Sequence, residues 1–464
     1  MTQFMKIHSL ALALSIASLT ITPFANQAFA DDSAAANTAW AQLPQVLADI
    51  KTATFPDRDF DITKYGAVGD GTTDCSKAIA DTITACNQAG GGRVDVPAGK
   101  FLTGPIHLLS NVNLHLAKGS TILFSTNFAA YLPPVYSHFE SVELINYSPF
   151  IYAFQQENIG ITGEGTLDGQ AIAAGWHAWK SKYHPDEKAL ADMAKKEVPV
   201  EQRIFGAGHF LRPNFIQPTC CKNVLIEGVT VINSPMWVLN PRRCTNVVVH
   251  AVTVKCTGPN TDGCDPDACH NVLIKDCSFS DGDDCIAIKS GRDHDGHRVG
   301  LPSENLVIQN CKFQAGHGGV TCGSETAGGI HNVYAENCEF NSPDLEMALR
   351  FKTNPARGGS IDHIYIRNCA IKTAKYGIHM TLRYSSAGAL DGEYTPEIKD
   401  IDIRNCTFAK LTKQPIFIEG YSDAIKISDV TVANCTFAQV GIPGTTITNA
   451  VDIHLLGNHG GGLD

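Results

Sequence analysis

Asn271-Val272-Leu273-Ile274-Lys275-Asp276-Cys277 is one of eight close variants of a single phrase. The others begin at Asn223, Asn246, Asn305, Asn332, His363, Asp400 and Asp429. Each opens on a polar residue, continues through a short β-branched alternation, and places a Val or Cys six positions later. A looser copy starts at Asn158. Alternation of this kind reads as a strand. The starts are separated by roughly 23 to 37 residues, enough for one coil with loops of variable length. A strand this short cannot bury its apolar face alone, whereas stacked coils share one continuous core. The expected fold is therefore all-β, a right-handed parallel β-helix. Stacking at about 4.8 Å superposes like residues. Cys277, Cys311, Cys338, Cys369, Cys406 and Cys435 should then form an interior ladder of inert thiols.

Outward from the repeat, the chain divides into three. Residues 1–30 carry Lys6, an apolar run from Leu10 to Ile21, and Ala28-Phe29-Ala30 before Asp31, the pattern of a cleavable export signal. That run is too short for a permanent membrane anchor, so a secreted or periplasmic protein is expected. Residues 31–57 form a leader segment, and 58–464 the β-helix. Between Asp74 and Ala89, Ile79, Ile83 and Cys86 fall at helical spacing before Gly90-Gly91-Gly92, which predicts a helix capping the solenoid's open end. Residues from about 173 to 207 interrupt the repeat with Trp176, Trp179 and Tyr183, and an insertion of this length is usually functional.

The formal net charge of −11 argues against nucleic acid or an anionic membrane as partner, but leaves room for an acidic substrate held by a few basic residues. Export permits disulfides, with Cys264–Cys269 and Cys75–Cys86 the candidate pairs among sixteen cysteines. Cys264, Cys269 and His270 suggest zinc, but no second CxxC-like pair completes such a site.

Four segments interrupt the repeat with chemistry: Asn260-Thr261-Asp262-Gly263-Cys264-Asp265, Gly282-Asp283-Asp284-Cys285, Gly316-His317-Gly318, and Arg350-Phe351-Lys352. Asp262 and Asp283 are 21 residues apart, and His317 and Arg350 follow after about 33 each, so stacking brings them to neighbouring coils. Arg350 and Lys352, two apart on a strand, project the same way. A carboxylate cluster beside two cations suits an acidic sugar at a hydrolysed bond. One carboxyl must donate a proton to the leaving oxygen while another activates water. Crowding separates their affinities for protons. Taken alone, Asp283-Asp284 would read as solvated turn residues or calcium ligands. The glycines flanking His317 suggest close approach by a ligand.

These segments, in this order, resemble glycoside hydrolase family 28, the polygalacturonases and their relatives. The likeness runs from Asp61-Ile62-Thr63-Lys64-Tyr65-Gly66 through the last repeats. It implies inverting hydrolysis of α-1,4-galacturonosyl linkages in pectin by a monomer, without metal or organic cofactor. On that resemblance Asp283 is the general acid, Asp262 and Asp284 hold and deprotonate the water, and His317 supports the acid. Arg350 and Lys352 bind the substrate carboxylate, with Tyr384 and Asn260 as further contacts. Cys264 and Phe351 depart from the family's aliphatic residues, at positions that should point inward. Arg350–Gly359 and Gly392-Glu393-Tyr394-Thr395-Pro396 look like the bacterial exo-acting members. In that reading the insertion walls off the groove, and Arg383 or Arg357 binds the terminal sugar. The alternatives are endo action, a rhamnogalacturonan-type hydrolase, a pectate lyase with calcium and an Arg or Lys base, and a non-catalytic polysaccharide-binding β-helix.

Overall fold

Each of the eight phrases is a strand of one 14-stranded sheet, joined to its neighbours in parallel. The computed structural model describes residues 34–172, 175–385 and 392–463, so the expected export segment lies outside them. Register aligns Val224, Val247, Val272, Leu306, Val333, Ile364, Ile401 and Val430 as one buried apolar column. Two further parallel ladders complete each coil. Lys312–Cys322 runs from one into the other around a corner. The result is a parallel β-helix.

The polar residue that opens each phrase has a backbone task. Asn158, Asn223, Asn246, Asn271, Asn305, Asn332, His363, Asp400 and Asp429 all have φ between +50° and +60°. Asparagine tolerates this left-handed region better than most side chains. From Asn111 to Asn332 the carboxamides also bond to one another along the stack, at 2.9–3.3 Å. A second left-handed column, Asp276, Asn310, Asn337, Asn368, Asn405 and Asn434, turns the chain just before each ladder cysteine. The repeated phrase is thus a strand held between two tight corners.

The six thiols stack as expected, buried and each within hydrogen-bonding reach of the next. A second thiol stack, Cys221, Cys244 and Cys269, precedes the phrases and was not anticipated. Both candidate disulfides are corrected: all sixteen cysteines are free. Cys264 points into the core on its own column, whereas Cys269 belongs to the second stack. Cys75 donates to the carbonyls of Val68 and Thr73, and Cys86 is buried on its helix.

Among the described residues, four α-helices and one hairpin decorate the coil. Helix α1 (Ala34–Asp49), within the expected leader, lays Ala39 and Leu43 over the outward face of the large sheet at Leu225, Val248, Val307, Tyr334 and Tyr365. Helix α2 (Ser76–Gln88) is the capping helix, with Ile79, Ile83 and Cys86 turned into the core. The insertion folds as a 3₁₀ turn, Trp176–Ser181, followed by helix α3 (His184–Lys195). Trp176 and Trp179 lock the 3₁₀ turn among Phe128, Tyr131 and Tyr147. Helix α3 packs Leu190 and Ala194 against the antiparallel hairpin of Val135–Phe139 and Val142–Asn146. Short helix α4 (Asp293–Val299) closes this corner. There Arg292 pairs with Glu140 of the hairpin and, at 3.1 Å, with Glu187 of α3, while Arg203 meets Asp295 at 2.9 Å. Buried pairs of this kind are costly to break singly, so insertion, hairpin and α4 form one rigid wall. Among the described residues no helix is long and apolar enough to cross a membrane.

Candidate active site

The backbone brings the aspartates together by coil-to-coil hydrogen bonds. Gly263 N–H donates to the Asp284 carbonyl at 2.9 Å, and Cys264 pairs with Ile286 on the next coil. Thr261 Oγ1 staples the same two coils: it donates to the Cys256 and Gly258 carbonyls and accepts from Gly282 N–H at 3.1 Å. One coil further on, His317 N–H donates to the Asp283 carbonyl at 2.8 Å. Carboxylate oxygens of Asp262, Asp283 and Asp284 consequently lie within 4.8 Å of one another. Asp283 is the member nearest solvent, its side chain 18% exposed against 5% for Asp262 and 0% for Asp284.

Each carboxylate has a different environment. Arg350 and Lys352 share one face of the strand Leu345–Lys352, while Phe351 between them is buried in the core. Arg350 Nη1 lies 2.8 Å from Asp284 Oδ1 and Lys352 Nζ 2.7 Å from Asp284 Oδ2. Burial opposes ionisation of Asp284, but Lys352 and Arg350 outweigh it and hold its carboxyl well below the usual range. Burial and the neighbouring Asp283 push Asp262 well above it, although Lys289 stands 3.6 Å away. His317 Nδ1 lies 2.9 Å from Asp283 Oδ1, and this hydrogen bond raises the imidazole's proton affinity against desolvation. Asp284 N–H bonds to the same Asp283 oxygen at 3.0 Å.

The glycines beside His317 serve the chain's own atoms. A Cβ on Gly318 would stand 2.6 Å from Asp284 Oδ1 and 3.1 Å from Arg350 Cδ, and one on Gly316 would stand 2.5 Å from the Asp283 carbonyl oxygen. The close approach read from the sequence is therefore made by the carboxylate and the neighbouring coil. Tyr384 sits beside the cations, its ring centroid 4.8 Å from Lys352 Nζ. Asn260 is also present, but its carboxamide oxygen accepts from Lys180 Nζ at 2.7 Å and Arg212 Nη2 at 2.8 Å. Arg357 is buried against Asp293 and Glu325, whereas Arg383 is largely exposed beside Glu419 and Tyr421.

Several groups here were not identified from the sequence. Lys289 bridges Asp262 and Glu325, 3.0 Å from the latter, and lies 4.3 Å above the Trp237 ring. Burial works against its charge, but Glu325, Asp265 and Asp262 keep it protonated. Asp265 and Asp281 are buried carboxyls, both pushed well up by that burial and by Asp262. Lys289 ends a strand where other coils carry Gly323 and Lys352, so no repeat marked it.

Three aspartates so close could in principle hold a cation. The donor set disfavours it: Asp284 already spends both oxygens on Arg350 and Lys352, and Lys289 adds a third positive charge. A hard dication takes six to eight such oxygens when it is calcium. The suggested zinc ligands do not gather either, since Cys264 and Cys269 face the interior and His270 lies outside beside Glu304.

The profile of Glycosyl hydrolases family 28 matches residues 86–455. A "Probable polygalacturonase" of Vitis vinifera is 32% identical over 72% of this chain, which spans 65% of that relative's length. An "Exo-poly-alpha-D-galacturonosidase" of Dickeya chrysanthemi is 30% identical over 87% of this chain and 69% of its own. Among solved structures, a hyperthermoactive exopolygalacturonase from Thermotoga maritima superposes with a TM-score of 0.83 at 37% identity. That match covers 90% of this chain and 96% of the other. The architecture is accordingly the right-handed parallel β-helix.

Proposed function

The chain belongs to Glycosyl hydrolases family 28, and from that premise we propose that it hydrolyses α-1,4-galacturonosyl bonds of polygalacturonate, acting from chain ends after export. The observation that carries this reading is the asymmetry of the three aspartates. Asp284 is locked as an anion by Arg350 and Lys352, Asp262 is driven towards its neutral form, and Asp283 reaches the surface beside His317.

In the proposed cycle, the proton that burial and crowding favour on Asp262 passes to Asp283 before the bond breaks. Both hydrogen bonds to Asp283 fall on Oδ1, so Oδ2 carries the proton to the leaving oxygen. Once Asp283 holds that proton, Asp262 is a buried and strongly basic carboxylate. It takes the proton of the attacking water, which Asp284 helps to orient. The water oxygen bonds to the anomeric carbon as the glycosidic bond breaks. Afterwards Asp262 again holds a proton and Asp283 does not, so the cycle closes without exchange with solvent. Arg350 has guanidinium N–H groups beyond the one given to Asp284, and these bind a galacturonate carboxylate together with Lys352 and Tyr384.

A lyase would need a neutral lysine or arginine as base. Burial favours that form, but Asp284 keeps both Lys352 and Arg350 charged. Exo action is supported by the rigid wall of the insertion, hairpin and α4, and by the exo-acting relatives named above. Early digestion of long polygalacturonate should release galacturonate monomer or dimer while the polymer stays long. Early fragments of random length would rule out the chain-end reading.

A further inference from the structure

Resting on that reading, we infer that Lys180, from the insertion, binds the carboxylate of the galacturonate across the scissile bond from Arg350 and Lys352, and so selects the terminal sugar. Every galacturonate carries one carboxylate, so a bond between two of them has an anionic group on either side. Arg350 and Lys352 serve one side, two coils beyond Asp283 and Asp284. The other side is the preceding coil, which begins at Asn260.

Lys180 is placed there by tertiary structure. Its 3₁₀ turn is fixed by Trp176 and Trp179 in their aromatic box. Its Nζ donates to Asn260 Oδ1 at 2.7 Å and to Tyr183 Oη at 3.1 Å. An ammonium has three donors, so one remains for a ligand. Among the described residues Lys180 has no ion pair within 4.0 Å. The nearby carboxylates are committed elsewhere, Glu140 and Glu187 both to Arg292. Arg212, which shares Asn260 Oδ1, is buried and also held by the Pro235 and Pro259 carbonyls. Lys180 is thus a half-buried ammonium held on Asn260, two residues before Asp262 of the acid cluster. Because it stands on the wall itself, the same element that stops the chain would read the last sugar's charge.

The test compares Lys180→Gln, which keeps hydrogen-bond donors but loses the charge, with Lys180→Arg. On trigalacturonate, Lys180→Gln should raise KM about tenfold or more, the scale of a charge-assisted hydrogen bond, while Lys180→Arg stays within a few-fold of the parent. Both should keep the parent's melting temperature. Titration calorimetry with trigalacturonate on Asp283→Asn, with and without Lys180→Gln, reads binding without turnover. Weaker binding in the double variant supports the assignment; unchanged affinity and KM overturn it. A fall in melting temperature with KM unchanged overturns it in favour of a purely structural lysine. An inactive parent protein would overturn the hydrolase reading instead, because the calorimetry still reports on Lys180.

Discussion

Asp283→Asn is expected to lower kcat on polygalacturonate by about 10² to 10⁴, the range for removing one proton-transfer group, with little change in KM or melting temperature. Asparagine matches the side chain's shape and retains an acceptor for His317 Nδ1 and Asp284 N–H. It cannot hand a proton to the leaving oxygen. Asp283 is also the most exposed of the three carboxylates, so its charge contributes least to holding the coil together. Steady-state kinetics beside circular dichroism would check this, and a variant retaining more than a tenth of parental kcat would remove Asp283 from the acid role.

Lys352→Met should be the more damaging change to the fold. It leaves Asp284, fully buried, with Arg350 alone, and removing one partner from a buried ion pair costs about 3–5 kcal/mol. The pH dependence follows from the same contacts. Asp284's folded-state affinity for protons is lowered, so its contribution is present above the unfolded carboxylate range of about 3.9 and lost as pH falls through the folded value. Near neutral pH the parent protein keeps the full contribution and Lys352→Met does not. Denaturant titration at neutral pH should therefore show the loss. Adding Asp284→Asn to Lys352→Met should recover part of it, because the stranded charge is gone. If the double variant were no more stable than the single, uncompensated charge would not be the cause.

The coil was legible because its punctuation repeats. Asn223 through Asp429 mark one left-handed corner, and the residue before each ladder cysteine marks another, both demanded by backbone sterics. The acids, His317 and the Arg350–Lys352 pair were legible because coil stacking converts their sequence spacing into proximity. What escaped reading depends on contacts that no period announces. Cys221, Cys244 and Cys269 stack before the phrases rather than within them, and the candidate Cys264–Cys269 bridge failed because those cysteines lie on different columns. Helix α1 reads in the sequence only as leader, because its apolar face has meaning only against Leu225 and Tyr334 on the sheet. Lys180 reaches Asn260 across 80 residues through a wall built of buried ion pairs, a purely tertiary relation.

The close spacing of the acids bears on the stereochemistry. Oxygens within 4.8 Å are nearer than the roughly 6.5–9.5 Å usual for inverting pairs, and approach the 5–5.5 Å of retaining ones. Retention needs a free, ionised carboxylate as nucleophile. Asp284 is ionised but bonded through both oxygens, and Asp262, ionised only while Asp283 holds the proton, is then engaged as the base that takes the water's proton. Water is the better nucleophile here, and attack on an α-linkage by water inverts it. The most direct measurement is a proton NMR time course of polygalacturonate digestion with a chelator present. The expected result is that β-galacturonate hemiacetal appears first, then mutarotates, with no vinylic signal. The α-anomer appearing first would contradict direct attack by water, and a vinylic proton of an unsaturated product would contradict hydrolysis itself.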